Sequence, residues 1–167
     1  MHTFSAIEAS TPEAFYGELA RQAAHLMEGE RDAVANLANV SALLNMHLAD
    51  INWVGFYLWS ERDQELVLGP FQGKPACIRI PMGKGVCGTA AQLRAPVVVP
   101  DVLQFPGHIA CDAASRSEVV VPMVQGGRLI GVLDIDSPTP GRFRDTDAEG
   151  LGKVVAAITA ATEFPAR

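Results

Sequence analysis

Between Thr11 and Leu48 apolar side chains return every three or four positions, through Phe15, Leu19, Ala23 and Met27 and then Leu37, Val40, Leu44 and Leu48. That spacing matches the 3.6-residue turn of an α-helix and predicts two amphipathic helices. Thr11 followed by Pro12 offers an N-cap with proline at the first helical position, Gly29 interrupts the pattern, and the second helix is expected from about Asp32.

The texture changes at Trp53. The run 53–59 is aromatic and strand-like, and the runs 65–68, 77–81, 96–100, 118–122 and 128–136 read as further strands bounded by polar, glycine or proline residues. Gln125-Gly126-Gly127 predicts a tight hairpin between the last two. Asp145 or Asp147 is expected to cap a terminal helix carrying Leu151, Val154, Val155 and Ile158. With no repeat and no linker, the order predicts an α+β fold over residues 1–167 as a single domain. Its core is an antiparallel sheet of about six strands flanked by N- and C-terminal helices.

Composition narrows the partners. The chain has 167 residues, 49% hydrophobic and 19% charged, the size and balance of one soluble globular domain. Its net charge of −6, with no run of Lys or Arg, argues against nucleic acid, whose binding rests on basic patches. No apolar run is long enough to cross a bilayer, and Met1-His-Thr-Phe opens without a basic segment or apolar h-region. The expectation is a cytoplasmic protein with no membrane partner, acting on a small molecule or another protein. Three cysteines in a reducing compartment do not make a permanent disulfide framework. Inert burial, metal binding and redox chemistry remain.

Gly83-Lys-Gly-Val-Cys-Gly88 fits a dinucleotide fingerprint. However, residues 89–95 give barely two helical turns before Pro96, while a βαβ unit needs about 30 residues. The stretch is better read as a glycine-rich loop entering a short helix. Cys87 then lies near a helix N-terminus beside Lys84, a setting that favours a thiolate. Cys111 sits in a polar loop with His108 and Arg116 close in sequence, which also suits a reactive thiol. Cys77 opens an apolar strand, where a small buried hydrophobe is the plainer reading. A zinc site from Cys77, Cys87, His108 and Cys111 lacks the close-spaced ligand pairs of common structural sites. Asp134 and Asp136, two apart on a strand, share one face, expected to carry Ile130 and Val132 as well, and Glu118 begins the neighbouring strand. A solvated strand face gives the same pattern. If the face is enclosed, repulsion raises at least one carboxyl pKa and supplies a proton donor or a partner for a ligand ammonium.

Asn52-Trp-Val-Gly-Phe-Tyr57, Leu68-Gly-Pro-Phe-Gln-Gly-Lys-Pro-Ala-Cys77, Gly85-Val-Cys-Gly88, the loop 105–118 and Gly131-Val-Leu-Asp-Ile-Asp-Ser-Pro138 resemble the free methionine-(R)-sulfoxide reductases. These are single-domain enzymes on the GAF fold, and the likeness spans nearly the whole chain. The resemblance implies a pocket on one sheet face that holds the free amino acid. It implies Cys111 as nucleophile, Cys77 as resolving cysteine, and Cys87 as an alternative resolver or competing nucleophile. Glu118, Asp134 and Asp136 match the acidic substrate-binding residues, and Trp53 the aromatic expected against the methyl-sulfur end. It further implies free methionine sulfoxide as substrate, thioredoxin as reductant, a homodimer, and neither metal nor organic cofactor. The competing reading is a GAF module that senses a small ligand or redox state without catalysis.

Overall fold

Helix entry follows the local chemistry of the sequence. In the computed structural model, which describes residues 3–167, the Thr11 hydroxyl accepts from the Ala14 amide at 3.1 Å and α1 (Pro12–Leu26) begins. Asp32 caps α2 (Ala33–His47) in the same way, through the Ala35 amide at 2.9 Å. The chain then runs β1 (Trp53–Ser60), β2 (Glu65–Gly73), β3 (Arg79–Pro81), α3 (Gly85–Leu93), β4 (Val97–Val99), β5 (Ser117–Gln125), β6 (Arg128–Ser137) and α4 (Asp145–Ala161).

At α4 the cap differs from expectation. Arg144 is the N-cap residue, and Asp147 acts from the first turn by accepting the Arg144 amide at 2.8 Å. The other oxygen of Asp147 accepts from the Tyr16 hydroxyl at 2.7 Å, which ties α4 to α1.

All six strands are antiparallel, in the order β3-β2-β1-β6-β5-β4. The β5–β6 hairpin turns on Gly126 and Gly127, both left-handed at φ 58° and 78°, as a two-residue turn of the primed type requires. The strands on either side of α3 are the two opposite edges of the sheet. The glycine-rich stretch 83–88 therefore belongs to no parallel crossover unit and has no dinucleotide-binding architecture.

One sheet face packs against α1, α2 and α4 through residues such as Leu19, Leu44, Phe56, Leu133 and Leu151. The other lies under α3 and long loops, with Trp53, Tyr57, Val86, Val120 and Val132 in a second cluster. Covered on both faces, all eight residues of β1 are buried. Ile130 departs from the expected alternation. Gly131 pairs with Met123 and Leu129 with Val124, so Ile130 is an extra residue in the ladder and its parity flips. It joins the helix-side core, while Val132 keeps the pocket side with the acids.

Candidate active site

Strand register assembles the site. Trp53 stands opposite Asp136, Gly55 opposite Asp134, Glu118 opposite Asp136 and Val120 opposite Asp134. With a two-residue repeat, Trp53, Tyr57, Glu118, Asp134 and Asp136 all emerge on the face away from the long helices. α3 brings Cys87 over them, and the loop between β4 and β5 brings His108 and Cys111. Together they line a pocket enclosing about 550 Å³, its open mouth included. Cys77 lies just before β3, bonded to Cys111 through their sulfurs, with Cα atoms 5.5 Å apart. That separation is ordinary for a disulfide.

Three acids share an enclosed space. Glu118 is 5% and Asp134 6% exposed. Among the described residues, no lysine or arginine pairs with Glu118, Asp134 or Asp136. Burial, reinforced by the neighbouring charge of Asp134, pushes Glu118 and Asp136 well above the usual carboxylate range. Burial also raises Asp134, to about 6, and its Oδ1 has no hydrogen-bond partner. The raised acid expected from sequence is thus present three times over.

Cys87 corrects an expectation. It occupies the third position of α3, yet burial first and the three carboxyls second push its thiol well up. Its sulfur lies 3.9 Å from Glu118 Oε1. Helix-end charge loses to desolvation beside acids, so Cys87 is held as a thiol rather than a thiolate. On the far side of Glu118, His108 Nε2 approaches Oε2 at 3.8 Å, and burial lowers the pKa of this imidazole. Arg116, close to Cys111 in sequence, instead faces Asp101 at 3.8 Å.

Trp53 stacks with Tyr57 and with Phe71, at centroid distances of 5.9 and 5.2 Å. Its indole N–H donates to the Lys74 carbonyl at 3.1 Å. Two supporting residues escaped the reading from sequence. Tyr57 donates its hydroxyl to the Cys77 carbonyl at 2.9 Å. Asn52 donates to Asp112 Oδ2 at 3.2 Å and Ser115 Oγ at 3.1 Å, tying the Cys111 loop to the start of β1. The alternation from Trp53 carried the signal for Tyr57. Nothing local announced Asn52.

The zinc set considered from sequence does not converge, because Cys77 and Cys111 are joined to each other. Among the described residues, the ligand atoms that do converge are those of Cys87, Glu118 and Asp134, all within 4.8 Å of one another.

Comparison with known proteins agrees with this construction. The GAF domain family model matches residues 11–162. The free methionine-R-sulfoxide reductase of Escherichia coli (strain K12) is 56% identical over 144 residues, covering 86% of either chain. That of Saccharomyces cerevisiae is 44% identical over 145 residues, covering 83% of this chain and 81% of its own. The X-ray structure of free methionine-R-sulfoxide reductase from Neisseria meningitidis, in complex with its substrate, superposes with a TM-score of 0.91 at 47% identity. It covers 96% of this chain and 95% of that one. No helix among the described residues is long and apolar enough to cross a membrane. By fold, by the pocket its strands build and by these likenesses, the chain belongs to the free methionine-R-sulfoxide reductase family of GAF-domain oxidoreductases.

Proposed function

We propose that this protein reduces free L-methionine (R)-sulfoxide to methionine, with Cys111 attacking, Cys77 resolving and thioredoxin restoring both thiols. The observation that carries this reading is the Cys77–Cys111 pair at a pocket walled by three carboxyls, Glu118 and Asp134 buried and Asp136 partly so. A redox-active sulfur pair and a store of protons are what oxygen transfer from a sulfoxide needs.

The Cys111 sulfur attacks the sulfoxide sulfur while a carboxylic acid protonates the oxygen. At neutral pH Asp134 is the acid nearest to ionising and receives the α-ammonium, while Glu118 and Asp136 keep their protons. Oxygen passes to Cys111, methionine leaves as the thioether, and Cys111 becomes a sulfenic acid. The Cys77 thiol then attacks that sulfur, water departs, and the disulfide closes. One sulfoxide and two thiols thus give one thioether, one disulfide and one water. A dithiol of low potential, such as thioredoxin, returns the pair to thiols.

The acids also account for choosing the free amino acid. A peptide-bound residue offers no α-ammonium, so Asp134 would be left ionised and unpaired in a buried site. Trp53, in the pocket wall, is the aromatic set against the methyl-sulfur end. A cytoplasmic setting and a homodimer complete the reading. The test is NADPH consumption in the presence of thioredoxin and its reductase, with the R and S epimers supplied separately. Consumption with the free R epimer, and none with S or with peptide-bound sulfoxide, is expected. No consumption with either epimer would return the chain to the ligand-sensing class.

A further inference from the structure

We infer that Cys87, Glu118 and Asp134 form a binding site for a borderline-soft divalent cation, of which Zn²⁺ is the type. It lies in the floor of the pocket and competes there with the substrate ammonium.

Three rigid elements deliver the donors: α3 brings Cys87, β5 brings Glu118, and β6 brings Asp134. Their ligand atoms lie within 4.8 Å of one another, and Cys87 Sγ is 3.9 Å from Glu118 Oε1. Donors on one tetrahedral zinc, at 2.3 Å for sulfur and 2.0 Å for oxygen, stand about 3.5 Å apart. The Cys87–Glu118 pair would close by about 0.4 Å, and a pair at the 4.8 Å limit by somewhat over about 1 Å, a side-chain adjustment rather than a backbone one. A second observation, on a carboxyl whose side-chain hydrogen bonds run to Glu118 and Cys87 within the set, points to a cationic ligand. Asp134 is 6% exposed, and its buried Oδ1 has no hydrogen-bond partner. Among the described residues, no lysine or arginine pairs with either carboxyl.

Donor chemistry separates this ligand from others. An ammonium uses the carboxyls and leaves Cys87 idle, while Mg²⁺ and Ca²⁺ want oxygen alone. One sulfur with two carboxylates suits zinc and its neighbours, and leaves a fourth position open. His108 Nε2 stands 3.8 Å from the other oxygen of Glu118, beyond hydrogen-bond distance, and is not counted among the donors. Binding breaks the Cys87 S–H bond heterolytically. The electron pair goes to the cation, and the proton goes to solvent with those displaced from the carboxyls, so affinity rises with pH. No oxidation state changes.

Keeping Cys77 and Cys111 as their disulfide leaves Cys87 as the sole thiol, which makes the test specific. The oxidised protein, in reductant-free buffer, is titrated with Co²⁺ while the near-ultraviolet thiolate-to-cobalt absorption is followed, and Zn²⁺ is then added to displace it. The expected result is one cobalt per chain, at least a tenfold loss of affinity in Asp134→Asn and Glu118→Gln, and no thiolate band in Cys87→Ser. Far-ultraviolet circular dichroism checks that each variant is folded, and the near-isosteric Asp134→Asn keeps the test valid if Cys87→Ser is not. No band at millimolar Co²⁺, a band that survives in folded Cys87→Ser, or unchanged cobalt affinity in folded Asp134→Asn or Glu118→Gln would overturn the inference. The readout needs no turnover, so failure of the catalytic reading would leave it intact; only the competition rests on that reading. In the reduced protein Zn²⁺ is expected to raise KM for free methionine sulfoxide without lowering kcat, and a fall in kcat at constant KM would rule out the shared position.

Discussion

The Tyr57 hydroxyl donates to the backbone carbonyl of Cys77 at 2.9 Å, fixing the segment that carries one sulfur of the disulfide to the central strand of the site. Burial pushes the pKa of this phenol far up, so it remains a donor throughout the working range. Tyr57→Phe leaves that carbonyl without its partner, at a cost of about 1–2 kcal/mol. It also loosens the position from which Cys77 must reach a sulfenic acid. The first methionine is expected to be released at the wild-type rate, while disulfide closure slows. Rapid-quench methionine release, set against loss of free thiols, separates the two steps. Equal slowing of both would deny Tyr57 a role specific to Cys77.

At Gly131 the β6 backbone leaves no room for a side chain against β1. The glycine's φ is 157°, and a Cβ added there would collide with the Tyr57 carbonyl oxygen. The residue stands next to the extra residue Ile130 in the ladder. Gly131→Ala should cost about 3 kcal/mol through backbone shift and strain. For a chain of this size that lowers Tm by about 10 °C, measurable by calorimetry. A change within about 2 °C would show that the strand relaxes freely.

These two residues illustrate what local sequence conveys. Thr11 and the Gly126-Gly127 turn declare their roles through close neighbours, so the first helix cap and the hairpin were legible, while the α4 cap fell to Arg144. Alternation along β6 placed Asp134 and Asp136 together for the same reason. Ile130 misled because its side depends on how many residues β5 pairs with it, which no pattern within β6 records. Cys87 misled more instructively. Its helix position favours a thiolate, and only the long-range pairing of β5 with β6 brings the acids that reverse the balance. The bond between Cys77 and Cys111 crosses 34 residues, and only the family resemblance pointed to that pair.

Burying the acids carries a pH signature. Burial raises the Asp134 pKa from 3.8 to about 6, so between those values the folded state holds a proton that the unfolded state has lost. Its contribution to stability is complete below about pH 4, declines as pH rises, and is fully lost above about pH 6. A pKa higher by about two in the folded state corresponds to about 3 kcal/mol. On passing from about pH 4 to about pH 8, wild type should lose about 3 kcal/mol more stability than Asp134→Asn. Urea midpoints at the two pH values measure the difference. Parallel losses in the two proteins would mean that Asp134 ionises in the folded state as it does in the unfolded chain.

The division of labour between the bonded sulfurs can be read from stoichiometry. If Cys111 attacks, Cys111→Ser abolishes even the first equivalent of methionine, because serine oxygen is too weak a nucleophile for the sulfoxide sulfur. If Cys77 resolves, Cys77→Ser still releases about one equivalent per chain and then stops, leaving Cys111 as a sulfenic acid. Cys87 lies buried beside Glu118, its thiol held protonated by the surrounding acids. In the Cys77→Ser background it is therefore a slow substitute for Cys77, and Cys77→Ser/Cys87→Ser should hold the sulfenic acid longest. Single-turnover methionine release with reduced protein, paired with mass spectrometry of each variant, reads all of these outcomes. One equivalent released by Cys111→Ser, with none from Cys87→Ser, would move the attack to Cys87. It would also mean that bound substrate overcomes the acids that keep its sulfur protonated.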